Sequence, residues 1–146
     1  WLALAYVRSL ESGQWLVLLA IVLIACADMG GYFAGRRFGR RKLAIHVSPG
    51  KTWEGFWGGQ LCNLALALLI FICAADLSPV IVFIVVMASL ASVLGDLLES
   101  MVKRHRGIKD SSQLLPGHGG VLDRVDGITA AMPFFALGLL LSGWHF

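Results

Sequence analysis

The stretch WLVLLAIVLIACADMGGYFA, Trp15–Ala34, decides the fold. Its one charged side chain, Asp28, stands about two turns from the end of the run. A bilayer core is crossed by about 20 residues of helix, with a range of roughly 17–25. The run meets that length and lacks the period-two alternation of a barrel strand. Working outward, three more apolar runs follow: Phe56–Ala74, Val80–Leu94 and Ile128–Trp144. The first of these fits a span directly. The second reaches the length by continuing through Gly95 to Leu98, and the last is near the lower limit, with Trp144 as an interfacial anchor. The composition agrees. Of 146 residues, 58% are hydrophobic and 14% charged, against about a quarter charged in soluble domains. The sequence predicts an all-α polytopic membrane protein of about four transmembrane helices.

The connections set the topology. Arg36–Gly55 is basic, residues 75–79 carry no Lys or Arg, and Glu99–Gly127 is basic again. Eleven of the twelve Lys and Arg residues fall within Arg36–Lys51 and Lys103–Arg124, Arg8 being the exception. Four spans place both basic loops on one side, and the positive-inside rule makes that side cytoplasmic. An integral protein of the cytoplasmic (inner) membrane is expected if the source is bacterial, with its site on the cytoplasmic face. Trp1–Gln14 reads equally as the end of an earlier span or as an interfacial segment. Because the chain starts at Trp1, it is read as a piece whose missing N-terminal part holds further spans. Residues 1–146 are expected to form one transmembrane catalytic domain, without repeats or linkers. Cys26, Cys62 and Cys73 lie in apolar runs without CxxC spacing, which speaks against a disulfide framework or a cysteine metal site. Nothing in the modest net charge of +3 calls for nucleic acid.

The chemistry-bearing residues gather near the basic loops. An acidic residue within a span is costly and is retained where it faces a polar cavity or partner; Asp28 either does that or reaches headgroup water. Ser48-Pro49-Gly50-Lys51-Thr52 offers a cation, hydroxyls and a glycine, a set suited to polyphosphate. A true P-loop is excluded, since its first glycine would fall at Ile45. The arginines at 36, 37, 40 and 41 read more simply as a topogenic cluster contacting anionic headgroups. If the third helix continues past its apolar run, Asp96, Glu99, Ser100 and Lys103 share one face. That stripe either holds a hard cation and a bridged phosphate or is a solvated helix end with salt bridges. Further on, Leu115-Pro116-Gly117-His118-Gly119-Gly120 forms a turn with unusual backbone freedom. His118 is a candidate catalytic base, a donor to phosphate, or a hydrogen-bonder that holds the turn. Asp123 and Asp126 precede the fourth span. With Asp96 they put several carboxylates on one rim, a donor set that selects Mg²⁺ or a similar hard cation.

The stretch from Ser100 to Asp126 resembles the signature of the CDP-diacylglycerol synthase (phosphatidate cytidylyltransferase) family. The matching residues are Ser100, Lys103-Arg104, Lys109-Asp110, Leu115-Pro116, His118-Gly119-Gly120, Asp123-Arg124 and Asp126. Upstream, Asp28, Tyr32, Gly35-Arg36, Ser48-Pro49, Lys51-Thr52 and Glu54-Gly55 are similar to the same family. The resemblance implies a nucleotidyltransferase of phospholipid biosynthesis that takes CTP and phosphatidic acid, works among membrane lipids as a homodimer, and depends on Mg²⁺, with a monovalent cation such as K⁺ beside it. It implies Asp96 and Asp123 as metal ligands and Ser48, Lys51 and Thr52 as nucleotide or phosphate contacts. It also turns Lys103, Arg104 and Lys109 toward the anionic substrates, with Arg124 beside them. Two rivals stay open at this level. One is another membrane enzyme acting on lipid or polyprenyl phosphates. The other is a transporter module with Asp28 as its coupling residue, which would spread polar residues through the middle of several spans.

Overall fold

The structure is a computed structural model. It describes residues 1–45, 47–73, 79–108, 111–112, 120 and 122–143, the side chains of 122–124 excepted. Among the described residues, five helices and one hairpin follow in chain order: α1 (Leu2–Ser9), α2 (Gly13–Phe38), β1 (Lys42–Ala44), β2 (Ser48–Thr52), α3 (Trp53–Cys73), α4 (Val80–His105) and α5 (Leu122–Leu141). Three helices, α2, α3 and α4, are long and apolar enough to cross a membrane; Val125–Leu141 of α5 is a shorter apolar helix. The fold is therefore helical and membrane-embedded, as the hydropathy predicts. Trp144, expected to anchor the last span, lies outside the described residues.

Helix ends differ from the apolar runs in ways the local chemistry explains. α2 runs four residues past Ala34 through Arg36 and Arg37 in its last turn, where cations complement the carbonyl end of the helix dipole. α4 likewise continues beyond the apolar run and closes with Lys103, Arg104 and His105. α3 starts three residues before Phe56 because Thr52 caps it: the Thr52 hydroxyl accepts from the Gly55 N–H at 3.1 Å. The segment before Trp15 resolves as a short helix, α1, and a turn closed by Gly13 N–H donating to Leu10 O at 2.8 Å. α1 packs against α2 and α5, and Val7 is fully buried there.

The first basic loop holds a feature that hydropathy does not announce, an antiparallel hairpin. Lys42 pairs with Thr52 and Ala44 with Ser48, with a register shift between them. The shift falls beside Pro49, which has no N–H to give the ladder. Two contacts clamp the hairpin base to α3. Trp53 N–H donates to Arg41 O at 3.0 Å, and Arg41 N–H reaches the Glu54 carboxylate at 3.2 and 3.3 Å.

The bundle is packed on small residues. α2 meets α3 through Gly30, Gly31 and Gly35 on one side and Gly55, Gly58 and Gly59 on the other. A Cβ at Gly55 would lie 2.8 Å from Gly31 O, and one at Gly59 would lie 2.7 Å from Ala27 O. The glycines of α2 thus serve close helix approach. Gly127 on α5 sits likewise against Ser92 of α4. Toward the end away from the hairpin the interior is larger and apolar, built around Ile81, Val85, Phe135 and Leu139. The outward faces carry Phe33, Leu61, Phe83, Leu94 and Leu141, all largely exposed, the surface a lipid solvent requires rather than water.

Candidate active site

At the hairpin end, the packing opens into a cavity of about 570 Å³. All four long helices and the hairpin contribute to its wall. Arg36, Lys51 and Thr52 stand toward the hairpin, and Asp28, Asp96 and Asp126 line the middle. Ile21, Ile24 and Val93 continue it toward the apolar side of the bundle. Ile21 and Tyr32, on its rim, are exposed on the outer face of α2.

Lys51 and Asp96 define its centre. They are 45 residues apart in the chain, and the Lys51 ammonium pairs with Asp96 Oδ2. The other carboxylate oxygen of Asp96 accepts from Ser100 Oγ at 3.4 Å. Asp28 stands within electrostatic reach of Asp96, Asp126 and Lys51. Asp126 Oδ1 accepts from the Gly127 N–H at 2.6 Å, which fixes the carboxylate at the first turns of α5. So three acids face one lysine across a shared space.

Several sequence-derived candidates are placed here and others are not. Asp28, Asp96, Asp126, Lys51 and Thr52 line the cavity; Ser48, at the start of β2, does not. The stripe on α4 divides. Asp96 turns to Lys51, while Glu99 pairs with Lys103 at 3.1 Å, both side chains being largely buried. Arg104 is exposed and its Nε donates to Val47 O at 3.3 Å. Glu99, Lys103 and Arg104 are not among the cavity-lining residues. The Arg104–Val47 bond does join the two basic loops at one end of the bundle, as the topology reading requires. Lys109, Asp110, Leu115-Pro116, His118 and Gly119 lie outside the described residues, as does His46, and so do the side chains of Asp123 and Arg124. The backbone of Asp123 is in the first turn of α5, the same helix end as Asp126. Of the glycine turn, Gly120 is buried, and a Cβ there would come within 2.9 Å of Ser112 N.

Arg36, Gln60 and Ser92 are among the lining residues not singled out as site residues from the sequence. Arg36 was read as topogenic, yet it lines the cavity and donates to the Tyr32 hydroxyl at 2.9 Å. Gln60 and Ser92 lie deeper, and their polar nature inside apolar runs was the available signal. Deeper still, Asn63 donates to Ser89 Oγ at 2.6 Å between α3 and α4. Polar groups in mid-span are what a transporter would show, but this pair is buried between α3 and α4 and outside the cavity lining; the Asn63 amide nitrogen is engaged by Ser89, and its Oδ1 has no partner among the described residues.

The donor set suits a hard divalent cation. Among the described residues, no group of three or more His, Cys, Asp and Glu converges at ligand distance. Mg²⁺, however, takes only one or two carboxylates and fills its shell with phosphate and water oxygens. Asp28, Asp96 and Asp126 line one cavity, which supplies that number of carboxylates, so the residue types fit.

Fold and site together define the class: a polytopic membrane protein with a cavity at one end of its bundle whose wall carries three carboxylates, a lysine and an arginine. Comparison makes this particular. The model of the cytidylyltransferase family matches residues 1–142, and the chain belongs to that family. It is 52% identical to the phosphatidate cytidylyltransferase of Haemophilus influenzae over 90% of this chain and 48% of that protein. It is 46% identical to that of Pseudomonas aeruginosa over 99% and 54%, and 43% identical to that of Bacillus subtilis over 92% and 51%. The chain thus spans about half the length of the curated relatives it matches. Among solved structures it is similar to an intramembrane enzyme for archaeal membrane lipids biosynthesis, at TM-score 0.58 and 25% identity, covering 82% of this chain and 77% of that one.

Proposed function

We propose that the protein carrying this chain transfers the cytidylyl group of CTP to phosphatidic acid, giving CDP-diacylglycerol and pyrophosphate. The observation that carries the reading is the cavity itself. Its upper wall holds Lys51 and Arg36 and its lower wall holds Ile21, Ile24 and Val93, which matches a substrate with an anionic head and apolar tails. The relatives named for this reaction support it.

A phosphate oxygen of phosphatidic acid attacks the α-phosphorus of CTP, the bond to the β-phosphate oxygen breaks, and pyrophosphate leaves. The nucleophile is already anionic, so no strong general base is required. The obstacle is bringing two anions together. Lys51, oriented by its pairing with Asp96, and Arg36 supply positive charge against that repulsion, held in place before the substrates meet, so little reorganisation is needed. The Thr52 hydroxyl accepts from Gly55 N–H, which leaves its proton to donate to a phosphate oxygen. Asp96, with Asp126 and Asp28 around it and Asp123 at the same helix end, would hold Mg²⁺, which when bound neutralises phosphate charge and aligns the in-line displacement. The family resemblance also points to a monovalent cation such as K⁺. We place the site at the cytoplasmic face of the inner membrane on the distribution of Lys and Arg. The family resemblance further points to a homodimer.

The test is CDP-diacylglycerol formation from labelled CTP and phosphatidic acid, in membranes holding the protein from its complete reading frame, with and without Mg²⁺. Turnover is expected only with Mg²⁺, and Asp96→Asn and Asp123→Asn are each expected to abolish it while insertion is retained. Absence of product from the unaltered protein overturns the assignment. Near-normal rates in either variant remove that residue from the site.

A further inference from the structure

We propose that Gln60 reads the acyl-ester level of the lipid substrate: its side-chain amide donates a hydrogen bond to an ester carbonyl, and the enzyme therefore favours ester-linked over ether-linked phosphatidic acid. The inference rests on the function proposed above and adds a specificity residue to the same cavity.

Three observations carry it. First, Gln60 lines the cavity, and its Nε2 is buried with no hydrogen-bond partner in the protein. A buried donor without an acceptor is rare in folded chains and asks for a ligand that supplies one. Second, its depth is right. Gln60 is seven residues into α3, about 10 Å along the helix from Trp53 at 1.5 Å per residue. Ser92, which also lines the cavity, lies one turn, about 6 Å, below Asp96 on α4 by the same rise. The Asn63–Ser89 bond sets the register of α3 against α4, so Gln60 and Ser92 stand on facing turns, one helical turn beneath Asp96, a drop comparable to one glycerol unit. Third, the wall at and beyond that level is apolar on α2, where Ile24 and Ile21 line the cavity. A group seated against Gln60 must offer an acceptor on its head side and hydrocarbon on the other. An ester carbonyl at the root of an acyl chain does so. The cytosine base of CTP, arriving from the aqueous side, does not.

The experiment compares kcat/KM for diacyl phosphatidic acid and its dialkyl ether analogue of equal chain length, in membranes holding the protein from its complete reading frame. One neutral hydrogen bond is worth about fivefold, so the unaltered protein is expected to favour the diester by about that factor. Gln60→Met keeps an unbranched side chain of similar size and removes the donor. It is expected to lose about fivefold on the diester, leave the ether analogue unchanged and bring the ratio to near one, with KM for CTP unmoved. Equal kcat/KM on both lipids in the unaltered protein overturns the inference without any variant. So does a loss of equal size on both lipids in Gln60→Met, which marks a structural role, or a change confined to KM for CTP, which assigns the amide to the nucleotide. If the unaltered protein makes no CDP-lipid from either substrate, the function proposed above fails first, and this inference with it. Turnover with an unchanged ratio removes the ester contact alone.

Discussion

Replacing Gly59 by alanine tests whether close approach of α2 and α3 holds the cavity in shape. The added Cβ would lie 2.7 Å from Ala27 O, and ordinary contact begins at 3.4 Å, so the helices must part by about 0.7 Å. The contacted atom is backbone, so no side chain can swing away to absorb the clash. Overpacking of this kind costs about 1–3 kcal/mol. For a chain of this size that lowers the unfolding temperature by roughly 3–9 °C. Ala27 immediately precedes Asp28, and Gly59 immediately precedes Gln60, so the displacement also falls on the cavity wall. The assay is thermal unfolding of the detergent-solubilised protein followed by circular dichroism, with Gly50→Ala as its control. Nothing lies within 4 Å of a Cβ at Gly50, and that variant is expected to stay within about 0.5 kcal/mol of the parent. Unfolding of Gly59→Ala at the parent temperature would refute the claim that glycine-to-backbone contact sets the helix separation.

Two further outcomes follow from the same geometry. Lys51→Met removes the cation paired with Asp96 and is expected to lower turnover about 10²–10³-fold, the scale of losing one fixed charge-stabilising group. Both partners are about a third exposed, so the stability change in the same variant is expected to stay below about 1 kcal/mol, as read by thermal unfolding. Ser89→Ala withdraws the acceptor of the buried Asn63 amide and is expected to destabilise by about 1 kcal/mol, the scale found for hydrogen bonds between membrane helices; an unchanged unfolding temperature would show that Asn63 finds another partner.

The spans were legible because hydrocarbon selects long apolar runs whatever their neighbours do. Trp15–Ala34 became the middle of α2, and Val80–Leu94 the first part of α4. Their ends were harder to see, since a cap such as Thr52 or a basic last turn such as Lys103–His105 extends a helix past its apolar part. The hairpin was hidden because its strands are short and Pro49-Gly50 reads as a turn. At the site, carboxylates within or beside apolar runs were a usable signal: Asp28, Asp96 and Asp126 do face one cavity. The assignment of the cations was not. Helical spacing puts Glu99 and Lys103 together, but nothing local says that Asp96 turns instead to a lysine 45 residues away. Nor does spacing distinguish an arginine that lines the cavity, Arg36, from one that ties loops together, Arg104.

Because its wall is drawn from all four long helices, the cavity has no precursor in any contiguous piece of the chain. During biogenesis α2, α3 and α4 enter the membrane first, and the side that Asp126, Gly127 and Ile128 will close stays open to lipid. Only lateral release of α5 against the Gly95 and Ser92 face of α4 completes it. A nascent chain arrested before that point would carry α2, α3 and α4 without the wall that α5 supplies, so the cavity closes in a single late step of synthesis rather than growing with each helix added.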